Sequence, residues 1–242
     1  MSWTHEARTF SKACFDGLLN LVFPPKCCIC YEVGRPAICT DCAPTLKPLP
    51  QGSCERCGID SAGDNRVCQW MSAVDVVRGA FDYKGSAGLA VKQLKFSRAL
   101  DAAAPMATHL VPLAEELDFD YVVPVPIHWS RHSHRGFNQA EVLARQTGLP
   151  FRTGLLRRVR ATWPQARAQA SVRRSALQGA FRSKPCPGAR VLLLDDVITS
   201  GGTVEACAQE LKAHGAQWVG ALAFAIELPP GFEGQASGSM TP

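Results

Sequence analysis

No stretch of this 242-residue chain approaches the roughly eighteen consecutive apolar residues of a transmembrane helix, so no segment reads as a membrane span. The N-terminus lacks a small-residue cleavage site and carries Glu6, Arg8 and Lys12 among its apolar residues, so it does not read as a secretory signal. Both absences point to a cytoplasmic protein that is not integral to a membrane. Excess charge is also scarce. The 26 Lys and Arg against 21 Asp and Glu leave a net charge of +5, which suits anionic ligands but is too small to argue for nucleic-acid binding. With 46% hydrophobic residues the chain can bury the core of one α/β domain plus a small appendage.

Phe10, Cys14, Leu18, Leu21 and Val22 recur at helical spacing until Pro24 and Pro25 stop the pattern, so residues 1–24 are expected to form a packing helix. A peripheral role at the inner membrane is the alternative, weakened by the shortage of Lys and Arg. Residues 25–72 are rich in Pro, Gly and Cys and poor in large apolar side chains. Eight of the eleven cysteines fall there, and their spacing speaks for metal rather than disulfides. Cys27–Cys30 and Cys39–Cys42 form two C-x2-C knuckles that can close one structural Zn²⁺ site with no open coordination position. Cys54 and Cys57 make a third knuckle, with Cys68 downstream and Met71 where another cysteine would fall, which leaves a second possible set of three. Pairing of Cys39 and Cys42 with Cys54 and Cys57 stays open at this level. Cys14, Cys28, Cys186 and Cys207 read as small buried side chains.

From about Val76 to residue 228 the signals alternate between strand and helix. A strand ends near Tyr83, and Gly85–Ser86 opens a helix that carries Leu89, Leu94 and Lys95. A second helix is expected over about Ala102 to Leu117, then a buried strand over Asp120 to Pro126. The loop that follows crowds Arg131, His132, His134 and Arg135 before a helix starts near Asn138. Such a cationic loop at a strand's carboxyl end suits a pyrophosphate, whereas the interleaved arginines and the lack of a carboxylate argue against a histidine metal site. Arg157 to Arg182 holds seven arginines and no acid, a composition fit for disorder, a nucleic-acid patch or a mobile lid. Residues 229–242 read as a disordered tail.

The densest motif is Val191 to Val204, VLLLDDVITSGGTV. Val191 to Leu194 form the continuous apolar run of a strand buried on both faces, which puts Asp195 and Asp196 at its carboxyl end. Ligands of open α/β sheets bind outside those ends. Adjacent strand residues point to opposite sides, so both carboxylates could reach ribose hydroxyls or a magnesium shell only if the backbone turns just after them. Thr199, Ser200, Gly201, Gly202 and Thr203 make that turn, and a helix from Val204 to His214 begins at once. Its positive end and free N–H groups suit a 5′-phosphate. The plainer alternative is a buried strand followed by a helix capped by Asp196 or Thr199.

The stretch resembles the 5-phosphoribosyl-1-pyrophosphate (PRPP) signature of type I phosphoribosyltransferases. The order of cysteine module, FDYKGSAGLAVKQLKFSRAL, VPVPIHWSRHSHRGFNQAEVLA, TWPQARAQASVRRSALQGAF and VLLLDDVITSGGTV resembles the ComF/GntX family, phosphoribosyltransferase-like proteins tied to natural competence. The resemblance implies a parallel α/β phosphoribosyltransferase-like sheet with a small N-terminal zinc ribbon. It further implies that Asp195 and Asp196 hold the ribose hydroxyls or their Mg²⁺ and that Thr199 to Thr203 bind the 5′-phosphate. Arg131 and Arg135 become pyrophosphate contacts, Arg135 with a catalytic role, while Gln165 and Arg173 belong to the mobile segment. The implied reaction is attack on C1 of PRPP by an unidentified acceptor with loss of pyrophosphate. Its rivals are a non-catalytic PRPP or nucleotide sensor and a single-stranded DNA handling module that works with competence-machinery proteins, Trp129 or Trp163 stacking on bases.

Overall fold

The computed structural model describes residues 24–49, 54–59, 68, 71–96, 100–128, 136–161 and 177–228. The expected N-terminal helix, but for its last residue, and the C-terminal tail lie outside these residues. So do Arg131, Arg135, Gln165, Arg173, Trp129 and Trp163.

Four parallel strands form the central sheet in the order β1 (Val76–Asp82), β6 (Trp218–Ile226), β5 (Arg190–Ile198) and β2 (Tyr121–Pro124). A parallel sheet must be covered on both faces, and the apolar sequences of β5 and β6 answer that need. Val191 and Leu193 face one core layer with Val204, Cys207, Ala208 and Leu211 of helix α5 (Gly202–Ala213). These α5 residues recur at the spacing of a single helix face. Leu192 and Leu194 face the other layer, filled by α1 (Ser86–Phe96), α2 (Ala103–Thr108) and α4 (Gln139–Thr147). Phe224 packs in that second layer against the Phe81 ring at 5.1 Å.

Three expectations about bounds change. The strand expected over Val191 to Leu194 runs on to Ile198, because β6 continues to pair with it as far as Ile198 opposite Ile226. Asp195 and Asp196 therefore lie within the strand rather than after it. The following helix starts at Gly202, two residues earlier than expected. The single helix expected over 102–117 is broken into α2 and α3 (Val111–Glu115). Pro112 lacks the N–H that would bond the carbonyl of Thr108, and in a continuous helix its ring would collide with that carbonyl.

The cysteine segment closes the β1 edge. Asp82 N–H donates to the Lys47 carbonyl at 2.9 Å, Leu49 N–H to Ala80 at 3.2 Å, and Val77 N–H to Arg56 at 2.8 Å. An open edge strand would expose these groups for pairing with another chain. The segment's halves join opposite core layers: Cys27 to Leu46 sit with α1, whereas Cys57, Ile59, Cys68 and Met71 sit with α5. Outside the sheet, the acid-free arginine stretch is bounded by β3 (Leu156–Arg158) and β4 (Phe181–Ser183), which pair antiparallel. Among the described residues no helix is long and apolar enough to cross a membrane.

Candidate functional site

Beyond Leu194 the pairing of β5 with β2 stops, while β6 still holds its other edge. Asp195 and Asp196 occupy this half-free stretch. As alternating strand residues must, they serve opposite faces. Asp196, only 4% exposed, is turned towards α1, where Lys95 Nζ lies 2.9 Å from its Oδ2. The pair is made off the hydrogen-bonding direction, so Oδ2 is neutralised but accepts no hydrogen bond. Asp195 lies on the α5 side, where its charge helps to raise the Cys207 thiol, although burial of that thiol does most. Its Oδ1 accepts the Asp196 backbone N–H at 2.9 Å. Burial and the adjacent Asp196 charge hold the Asp195 carboxyl well above the usual carboxylate range, against a smaller opposing pull from Lys95.

The turn expected just after them comes only after Val197 and Ile198, which are still paired with β6. Thr199 is exposed and Ser200 partly so, while Gly201 and Gly202 are buried. The N-cap of α5 is Gly201, in the left-handed region at φ 71°, and it has no side chain to cap with. Neither Asp196 nor Thr199 takes the capping role of the plainer alternative. The first-turn N–H groups are thus left by the N-cap for another acceptor.

The cationic loop leaves β2 at the same sheet edge, since Pro124 lies opposite Leu194. Asn138 ties the loop's two ends together: its Nδ2 donates to the Val125 carbonyl at 3.0 Å and its Oδ1 accepts the Ala140 N–H at 3.1 Å. This is the N-cap of α4, where a helix start was expected. His128 is buried at the loop's beginning.

The cysteines gather as two clusters. The Sγ atoms of Cys27, Cys30, Cys39 and Cys42 all lie within 4.8 Å of one another, as do those of Cys54, Cys57 and Cys68. The sulfurs of Cys39 and Cys42 thus group with Cys27 and Cys30 rather than with Cys54 and Cys57. A tetrahedral ion with Zn–S bonds of about 2.3 Å requires sulfurs about 3.8 Å apart. Cys30 and Cys39 are 3.9 Å apart, and Cys54 and Cys68 3.7 Å, so both sets have the span of a zinc site. Burial opposes the Cys27 thiolate, yet the N–H groups of Cys30, Cys39 and Ile29 outweigh it and bring that thiol down to about 6. Cys54 falls to about 7 against burial in the same way, through the N–H groups of Cys57 and Arg56 and the Cys57 thiol. Burial pushes Cys57 up to about 12, a cost to the thiolate that a bound dication would offset. Cys28 stays out of the tetrad, buried and also pushed up to about 12, and Cys186 and Cys207 are buried too. All three match the expectation of packing residues.

Two residues of the site carried no usable signal in the sequence. Met71, notable there only as a missing cysteine, is fully buried against the glycine turn: a Cβ on Gly201 would meet its Cε at 2.6 Å and its Cγ at 2.9 Å. Glu205, in the first turn of α5, accepts the Ala73 N–H at 3.0 Å through Oε2 and the Ser72 hydroxyl at 2.8 Å through Oε1. Ser72 and Glu205 are 133 positions apart, so no local pattern could pair them.

Known proteins match both halves of this arrangement. A double zinc ribbon domain model matches residues 18–71, and a phosphoribosyl transferase domain model matches residues 134–228. The DNA utilization protein YhgH of Salmonella typhimurium is 32% identical over 222 residues, covering 82% of this chain and 96% of that protein. The chain belongs to the ComF family. Competence protein F of Haemophilus influenzae is 33% identical to this ComF-family chain over 118 residues, 46% of the one and 49% of the other. A purine phosphoribosyltransferase from Pyrococcus horikoshii superposes on 51% of this chain and 73% of its own at 14% identity, with a TM-score of 0.31. That superposition is too loose to add to the assignment. The ComF-family chain thus joins a phosphoribosyltransferase-type parallel sheet to zinc-ribbon cysteine clusters.

Proposed function

We propose that this ComF-family protein binds PRPP with Mg²⁺ at the carboxyl end of β5 and transfers its phosphoribosyl group to an acceptor, in the service of DNA uptake or use. One observation carries the reading: two carboxylates lie near the carboxyl end of β5, two residues ahead of a turn that opens a helix whose N-cap has no side chain. The 5′-phosphate would lie on the N–H groups at Gly201 to Thr203, with the hydroxyls of Thr199, Ser200 and Thr203 as further donors. Asp195 and Asp196 would take the ribose hydroxyls or the Mg²⁺ shell. The donor set fits such a cation, because the Asp195 carboxyl, held above its usual range by burial and the adjacent Asp196 charge, is relieved by positive charge. When bound, Mg²⁺ supplies charge neutralisation to the departing pyrophosphate. Arg131 and Arg135 would contact that group from the loop after β2, and Gln165 and Arg173 would close over it. No nucleophilic side chain is required: the acceptor bonds to C1 as the C1–O bond to pyrophosphate breaks, and pyrophosphate leaves with the electron pair. The relatives named for DNA utilization and competence support the biological setting.

Calorimetry with PRPP should give binding that requires Mg²⁺, and incubation with a panel of bases should release pyrophosphate. Binding without pyrophosphate release from any base would leave a sensor; no binding would remove the reading altogether.

A second reading, contact with single-stranded DNA, is favoured by the β3–β4 ribbon. Arg157 stands directly opposite Arg182, both exposed. Like charges so placed repel, and Glu210 at 3.9 Å from Arg182 compensates weakly. A polyanion would relieve them. On this reading single-stranded DNA binding weakens as salt rises, and Arg157→Ala with Arg182→Ala lowers the slope of log K against log[salt] by about one to two. Binding indifferent to salt would count against it.

A further inference from the structure

Following the chain from the second cysteine cluster to the glycine turn reveals a continuous physical connection. Arg56 sits between Cys54 and Cys57. Its Nη1 donates to the Met71 carbonyl at 3.1 Å, and its own carbonyl accepts the Val77 N–H at 2.8 Å and Arg78 Nη1 at 3.0 Å. Met71 N–H donates to the Cys68 carbonyl at 3.0 Å, so the backbone carrying the third thiol also carries Met71. The Met71 side chain then fills the space that any side chain on Gly201 would need. Immediately after it, Ser72 and Ala73 are held by Glu205, which is 7% exposed and also takes Gln209 Nε2 at 2.8 Å. One short segment, 71–73, is thus gripped on one side by the cysteine cluster and on the other by the turn and first helical turn that would hold the phosphate.

We propose that Met71 and Glu205 are positioning residues of the phosphate turn, through which metal at Cys54, Cys57 and Cys68 sets the affinity of the turn for PRPP. This rests on the PRPP reading above. The cluster does not touch the ligand. It places the wall on which Gly201 rests, and an emptied cluster frees 54–59 and 68, lets Met71 retreat and loosens the N–H groups of the turn. The tetrad at Cys27 to Cys42 packs in the opposite core layer, with α1 rather than with Met71 and α5.

Coupling between two sites is reciprocal, which makes the idea measurable without catalysis. Zinc affinity of the intact protein is read by equilibrium competition with a chromophoric chelator, with and without saturating Mg²⁺ and PRPP. The second cluster, identified by its loss in Cys57→Ser, should bind zinc about tenfold more tightly when PRPP is present, while the tetrad is unmoved. Calorimetric PRPP affinity should fall by a similar factor in Cys57→Ser and in Met71→Ala. Met71→Leu, which keeps the volume of the wall, should restore it, and Glu205→Gln should fall between. Met71→Ala should also abolish the effect of PRPP on zinc. If Met71→Ala does not fold, the wild-type zinc competition alone decides. PRPP that binds normally while leaving second-cluster zinc affinity unchanged overturns the coupling; a protein that does not bind PRPP at all overturns the functional reading beneath it.

Discussion

Stripping zinc is expected to unfold much more than the cysteine segment. Structural zinc contributes about 10–16 kcal/mol in small finger peptides, and here the two clusters anchor halves of one segment in opposite core layers. Loss of the segment would uncover the outer edge of β1, where Lys47, Leu49 and Arg56 now satisfy the strand's backbone. It would also expose Leu46, Ile59 and Met71, all nearly inaccessible in the fold. Even a loss of about 5 kcal/mol lowers the melting temperature of a chain this size by roughly 10–20 °C. A strong chelator, with bound metal counted before and after, should therefore produce a large fall in melting temperature and rapid hydrogen exchange in β1. Removal of all bound zinc with an unchanged melting curve would show that the apolar contacts suffice alone.

Asp195→Asn is expected to abolish Mg²⁺-dependent PRPP binding while making the ligand-free protein more stable. The affinity loss should reach about a hundredfold or more, the scale of removing a charged group that faces a cation and a ligand hydroxyl. The stability gain follows from the raised carboxyl of Asp195. A folded-state value above the unfolded one stabilises the protein fully at pH below the unfolded range, about 4, and that contribution is lost as pH rises through the folded value. At neutral pH the native acid is therefore a cost, and asparagine, which does not titrate, removes it while still accepting the Asp196 N–H. The advantage of the variant should be clear at pH 7 and shrink as pH falls towards 4. Asp196→Asn should behave oppositely in stability, because it strips Lys95 of its partner at 2.9 Å. Calorimetry and thermal melts across pH test both variants; an Asp195→Asn protein that binds PRPP normally would remove Asp195 from the ligand site.

Much of the architecture was legible because it is written in local patterns. The apolar run at Val191 to Leu194, the Asn138 cap and the cysteine knuckles each depend on neighbours in the chain. Bounds shifted where a partner strand decided them, as β6 did in carrying β5 on to Ile198. The break at Pro112 was available locally, since a proline in the middle of a helical run forbids one backbone bond.

By itself the sequence determined the ingredients: a parallel α/β sheet, two carboxylates before a glycine turn, and thiols spaced for zinc. These depend on residue type and short spacing, which the chain carries locally. Tertiary structure alone decided how the ingredients meet. It sent Asp195 and Asp196 to opposite faces, and it gave the cap of α5 to a glycine. It also placed Met71 beneath the turn and brought Glu205 to Ser72 across 133 positions. Such contacts arise from packing two core layers around one sheet, and packing complementarity between distant segments leaves no periodicity in either of them.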